Sequence, residues 1–79
     1  MTEREKAASQ NTVLVVDDEL NVRGAISDYL EARSLIPLCA GSAESALRLF
    51  RNAHPSVVVT DVNMPGMDGI QLLTIIKEE

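Results

Sequence analysis

Apolar residues recur along this chain in two rhythms that alternate, and each switch of rhythm marks a new element. After a polar, charged lead-in over residues 1–11, read as a disordered tail, comes the unbroken run Val13-Leu14-Val15-Val16. A continuous β-branched run predicts a strand buried on both faces, as in a parallel sheet. From Leu20 to Arg33 the spacing lengthens: Val22, Ile26, Tyr29 and Leu30 fall at i, i+4, i+7 and i+8, one apolar helical stripe. Ile36 to Ala40 predicts a second short strand, placed at a sheet edge because Pro37 has no amide to donate. Ser42 then reads as an N-cap with Glu44 well placed in the first turn, and Ala43, Ala46, Leu47 and Phe50 share one helical face. His54-Pro55 stops that helix, with His54 as an exposed terminator, and Val57 to Thr60 predicts the third strand. Met64-Pro65-Gly66-Met67 reads as a loop in which the methionines pack. Asp68-Gly69-Ile70-Gln71 then opens a last helix, Asp68 and Gln71 making a capping-box pattern. Gly66 and Gly69 are assigned to turn geometry.

The order β-α-β-α-β-α implies a parallel sheet with right-handed crossovers. The first strand, being the most apolar, belongs in the middle, giving strand order 2-1-3. Two of the apolar runs end in acid: the first enters Asp17-Asp18-Glu19 and the third enters Asp61. In open α/β sheets ligands bind outside the carboxyl ends of the strands, at the point where strand order reverses. With strands one and three as neighbours, Asp17, Asp18 and Asp61 meet at that point. Two unit charges about 4 Å apart repel by roughly 4 kcal/mol at an effective dielectric near 20. Three carboxylates at one mouth therefore either raise a pKa or recruit a cation. Hard divalent cations take oxygen ligands, and Mg²⁺ is commonly held by one or two carboxylates together with phosphate oxygens. A carboxylate is also a competent nucleophile, able to form an acyl phosphate.

Composition narrows the field. The chain has 79 residues, enough for one domain, and 46% of them are apolar. A chain of this size buries about 60–65% of the surface it exposes when unfolded, so its stability should be marginal. Twelve acids against seven bases give a net charge of −5, which argues against nucleic-acid binding by this segment. A single cysteine, Cys39, allows no intrachain disulfide; it fits a reducing cytoplasm and reads as a small buried apolar residue. No apolar stretch reaches 18 residues and no signal-peptide pattern opens the chain, so neither a membrane span nor export is expected.

At three places the sequence resembles the receiver domain of two-component response regulators, the CheY-like superfamily. The stretches are VLVVDDE at 13–19, the segment from Ala40 to Leu47, and VVVTDVNMPGMDG at 57–69. The last is specific: an apolar strand, Asp, two residues, Met-Pro, then Asp-Gly, with an acidic pair 43 residues upstream of the strand-end Asp. The resemblance covers residues 12–79 and implies a flavodoxin-like α/β parallel sheet, here incomplete, with three strands and three helices. It implies that Asp61 is the phosphoacceptor. Asp17 and Asp18 would hold Mg²⁺, one of them through water, with Asp61 and the backbone carbonyl of Asn63 completing the protein ligands. The implied phosphoryl donor is a phosphohistidine on a sensor histidine kinase or phosphotransfer protein, with small acyl phosphates as substitutes. A role in transcription regulation is implied for the parent protein by likeness alone.

The family's full pattern has five strands and five helices. Its strand-four hydroxyl and strand-five lysine have no counterpart in these 79 residues. The acid-rich ending Lys77-Glu78-Glu79, at the negative end of a helix dipole, also reads as cut rather than finished. The third strand is then an open edge that invites self-association. An alternative to phosphoacceptance is an interaction module that docks a kinase or another receiver without being phosphorylated. A stand-alone Asp-nucleophile phosphatase would want an acid two residues after the nucleophile, where this chain has Asn63. Self-modification is not turnover, so the chain is expected not to be an enzyme.

Overall fold

A computed structural model describes residues 11–79. Three strands, β1 (Thr12–Val16), β2 (Ile36–Ala40) and β3 (Val57–Thr60), alternate with three helices, α1 (Leu20–Glu31), α2 (Ala43–Ala53) and α3 (Gly69–Glu78). The strands are parallel in the order β2-β1-β3, as the apolar pattern requires. The register sets Val13 beside Pro37 and Val57, and Val16 beside Ala40 and Thr60. Pro37 therefore lies in an edge strand, where its missing donor costs little. The expectation of a disordered tail over residues 1–11 lies, except for Asn11, outside the described residues.

Alternation along β1 divides its side chains between two layers. Leu14 and Val16 enter a core shared with Ala43, Ala46 and Leu47 of α2, and with Leu72 of α3. Phe50, Val58, Ile75 and Ile76 pack against this core, and Met64 caps it from the loop. Leu14 and Leu72 are completely buried, each worth about 1.5–3 kcal/mol of transfer free energy. Both cap patterns form as the sequence dictates. Ser42 Oγ accepts from the Ser45 amide at 3.2 Å. Asp68 Oδ1 accepts from the Gln71 amide at 2.8 Å while Gln71 Oε1 accepts from the Asp68 amide at 2.9 Å. His54 ends α2 in the left-handed region, φ 48°, its amide donating to the Phe50 carbonyl.

The opposite face of the sheet departs from expectation. α1 lies there against β2 and β1, and none of its residues is fully buried. Of its predicted stripe, Ile26 and Leu30 are half-buried, while Val22 and Tyr29 are exposed. The reason is width: α1 leans on two strands and, among the described residues, no helix packs beside it, so the flank of its stripe meets solvent. The Tyr29 ring is covered instead by the Arg33 guanidinium, 3.8 Å from its centroid. The helix also stops at Glu31, short of Arg33, with the chain turning through Ser34 at φ 64°. Cys39 is exposed, not buried, because β2 is an edge strand; from α1, Ser27 Oγ lies 2.8 Å from its Sγ. The terminal acid is not uncompensated either. Arg51 of α2 grips Glu79 through Nε and Nη2, the shortest contact being 2.6 Å.

Candidate functional site

The acidic mouth follows directly from the register of β1 and β3. Val16 pairs with Thr60, so the next residue of each strand, Asp17 and Asp61, emerges at the same level. The ladder carries one residue further on each side: the Asp17 amide donates to Ala40 (3.1 Å) and the Asp61 amide to Val16 (2.9 Å). Both acids are thus fixed by the sheet, not by loops.

Asp17 is buried, and its backbone and one carboxylate oxygen are engaged. Its Oδ1 accepts from the Glu19 amide at 2.9 Å, the local bond that turns the chain out of β1 towards α1. Its carbonyl accepts from Arg23 Nη1 at 2.9 Å, one turn into α1. Asp18 follows at the exposed rim. Asp61 is half-buried; its Oδ1 accepts from the Asn63 amide at 3.2 Å, and its carbonyl accepts from Thr60 Oγ1 at 2.9 Å. One carboxylate oxygen from each of Asp17, Asp18 and Asp61 lies within 4.8 Å of the others. Among the described residues none of the three carboxylates is paired with a cationic side chain. Concentrated negative charge of this kind, built from hard oxygen donors, suits a small divalent cation such as Mg²⁺. The residues present fit that ion.

The three aspartates singled out from sequence are therefore brought together. Asn63 joins them through its amide, on the exposed loop two residues beyond Asp61. His54 and Cys39 lie outside the cluster.

Two glycines that support the mouth were not legible. Gly66 does serve a turn, with φ +76°, but Gly69 does not: its need is close approach. A Cβ on Gly69 would overlap the carbonyl oxygen of Asp61 and lie 3.0 Å from both its carbonyl carbon and Val62 Cα. A Cβ on Gly41 would stand 2.7 Å from Arg23 Nη1, the group that holds the Asp17 carbonyl. A glycine after a cap residue looks like a turn in any sequence, and no spacing announces a distant backbone touching it.

Residues 13–79 match the family model of the response regulator receiver domain. Among curated proteins, regulatory protein AtoC of Escherichia coli is 44% identical over 63 residues, 80% of this chain and 14% of its own length. Response regulator protein FleR of Pseudomonas aeruginosa is 45% identical over 65 residues, again 14% of its length. The chain thus spans about one seventh of these two relatives. Among solved structures, chemotaxis response regulator CheY4 of Vibrio cholerae superposes with a TM-score of 0.85 at 28% identity, over 89% of this chain and 58% of that one. The N-terminal domain of a response regulator receiver protein from Methanoculleus marisnigri gives 0.83 at 34%, over 86% and 55%. Two acid-tipped parallel strands side by side, and a family match running from β1 to the last residue, lead to one conclusion: this chain belongs to the response regulator receiver domain family of two-component systems.

Proposed function

We propose that this chain is a phosphoacceptor module, taking a phosphoryl group onto Asp61 from a phosphohistidine of a sensor kinase or phosphotransfer protein. The observation that supports it is the convergence, at the joined ends of β1 and β3, of three carboxylates with no ion-pair partner among the described residues. The free carboxylate oxygen of Asp61 forms the new bond to phosphorus as the phosphorus–nitrogen bond of the donor breaks. The electron pair leaves with the imidazole nitrogen, which is then protonated. The Asn63 amide holds the other carboxylate oxygen, so a single oxygen is presented. Asp17, Asp18, Asp61 and the Asn63 backbone carbonyl would hold Mg²⁺, which when bound would supply charge offsetting repulsion between the acceptor carboxylate and the phosphoryl oxygens.

In this reading the chain is the substrate of a transfer, not an enzyme, and it works in the cytoplasm. Among the described residues no helix is long and apolar enough to cross a membrane. Relatives include probable transcriptional regulators, such as ycf27 of Cyanophora paradoxa, so we assign the parent protein's output to control of transcription. The open β3 edge is the part of this segment suited to pairing with a second copy.

The deciding experiment treats the chain with a small acyl phosphate and Mg²⁺ and follows intact mass. One phosphoryl group should be gained by the wild type and by Asp68→Asn, and none by Asp61→Asn. Incorporation that survives Asp61→Asn contradicts the assignment. Kinase binding with no incorporation favours the docking module over the acceptor.

A further inference from the structure

The N-terminus of α3 is seated on the acceptor's own peptide. Gly69 is buried, its amide donates to the Val62 carbonyl at 3.0 Å, and its missing side chain is what lets the Asp61 carbonyl lie against it. Both bodies on either side of this contact are anchored. α3 is held by the fully buried Leu72, by the half-buried Ile75 and Ile76 packed against the core, and at its far end by the Arg51–Glu79 pair. The Asp61 amide is held in the sheet by Val16. Between them lies the stretch best able to give, from the Asp61 carbonyl through the exposed Val62 and Asn63.

We propose that Gly69 is a positioning residue for Asp61 and Asn63. Its bare backbone sets the peptide plane that follows Asp61, and through it the acceptor carboxylate and the Asn63 carbonyl. A side chain at 69 pushes that plane aside, since neither the sheet nor the helix can retreat. The displacement strains three bonds at once: Thr60 Oγ1 to the Asp61 carbonyl, Gly69 amide to the Val62 carbonyl, and Asn63 amide to Asp61 Oδ1. The functional consequence rests on the reading of Asp61 as acceptor; the positional one does not.

The test compares Gly69→Ala with Gly66→Ala in the same loop. Gly66→Ala also introduces backbone strain, at φ +76°, but its added Cβ meets only the Glu44 side chain, at 3.9 Å. Without metal, the amide resonances of Asp61, Val62 and Asn63 should move in Gly69→Ala and stay in place in Gly66→Ala. In a Mg²⁺ titration followed by the same resonances, Gly69→Ala should bind about tenfold or more weakly, the usual cost of losing a group that orients metal ligands. Gly66→Ala should bind as the wild type does. Unmoved resonances, or equal affinities in the two variants, overturn the proposal. So does a Gly69→Ala chain without native far-ultraviolet dichroism beside a folded Gly66→Ala, because the contact would then hold the fold and not the carboxylate. A wild type that binds no Mg²⁺ sinks the metal-site reading instead, and the metal-free resonances still decide the role of Gly69.

Discussion

Asp61 and Asp68 stand seven residues apart around one loop, and their partners give them different work. Asp68 spends its Oδ1 on the Gln71 amide and receives Gln71 in return, a closed reciprocal cap. Asp61 spends one oxygen on the Asn63 amide, and its carboxylate joins the acidic mouth. Asp68→Ala should therefore cost about 1 kcal/mol in thermal unfolding, while Asp68→Asn, which keeps an acceptor oxygen, should cost much less. Neither should change phosphoryl incorporation. Gly24, with open space around its missing side chain on α1, makes the complementary case. Gly24→Ala should stabilise the chain by up to about 1 kcal/mol, read as a raised melting temperature. At this scale, what the sequence exposes is chemistry that closes locally. The capping box is visible because its partners are three residues apart. The exposure of Cys39 and the need for Gly69 are invisible because they depend on which distant backbone or helix arrives.

The strands were legible almost to the residue, since a β-branched run has a sharp end where it meets Asp17 or Asp61. α1 was legible in position but not in burial: its stripe is a property of the helix, whereas what covers the stripe is a property of the sheet. α2 and α3 cover each other and the sheet, so Ala43, Ala46 and Leu47 are buried as their spacing demands. Leu72→Ala should accordingly be the severest change in α3, costing about 2–5 kcal/mol and unfolding much of a chain this small. The tie between these helices also carries a pH signature. The Arg51 hydrogen bonds, aided by the charge of the guanidinium, hold the Glu79 carboxyl below its usual 4.5. A carboxyl with a depressed folded pKa contributes stability above its unfolded pKa and loses it as pH falls through the folded value. Wild type should therefore melt slightly higher than Arg51→Met at neutral pH, and the two should converge as pH drops below 4.5. The gap should also shrink with salt, because the pair is exposed. A gap that persists at low pH would assign the effect to packing of the arginine stem.

Taken whole, the molecule is asymmetric in what it covers. Val13 and Val15 are buried under α1, but their neighbours on β3, Val57 and Val59, remain 49% and 40% exposed on that same face. β3 is also an edge. The Asp61 amide points to Val16, so by alternation the amides of Val58 and Thr60 point away from β1. No proline or charged side chain interrupts β3 to discourage pairing. A second copy can therefore add strand to strand and shelter the valines beside the new seam. Opposing it is net charge: two chains of −5 repel until salt screens them, with a Debye length of about 10 Å at 0.1 M. Sedimentation should accordingly show association that rises with both protein concentration and ionic strength. Val59→Lys, which sets a charge on the exposed valine face beside the edge, should suppress it. Hydrogen exchange locates the contact: edge pairing slows the Val58 and Thr60 amides as the oligomer forms, whereas contact through α1 alone leaves them fast. A chain that sediments as a monomer at high salt, with those amides exchanging freely, would mean that four residues of open edge are too few to outweigh the entropy of association.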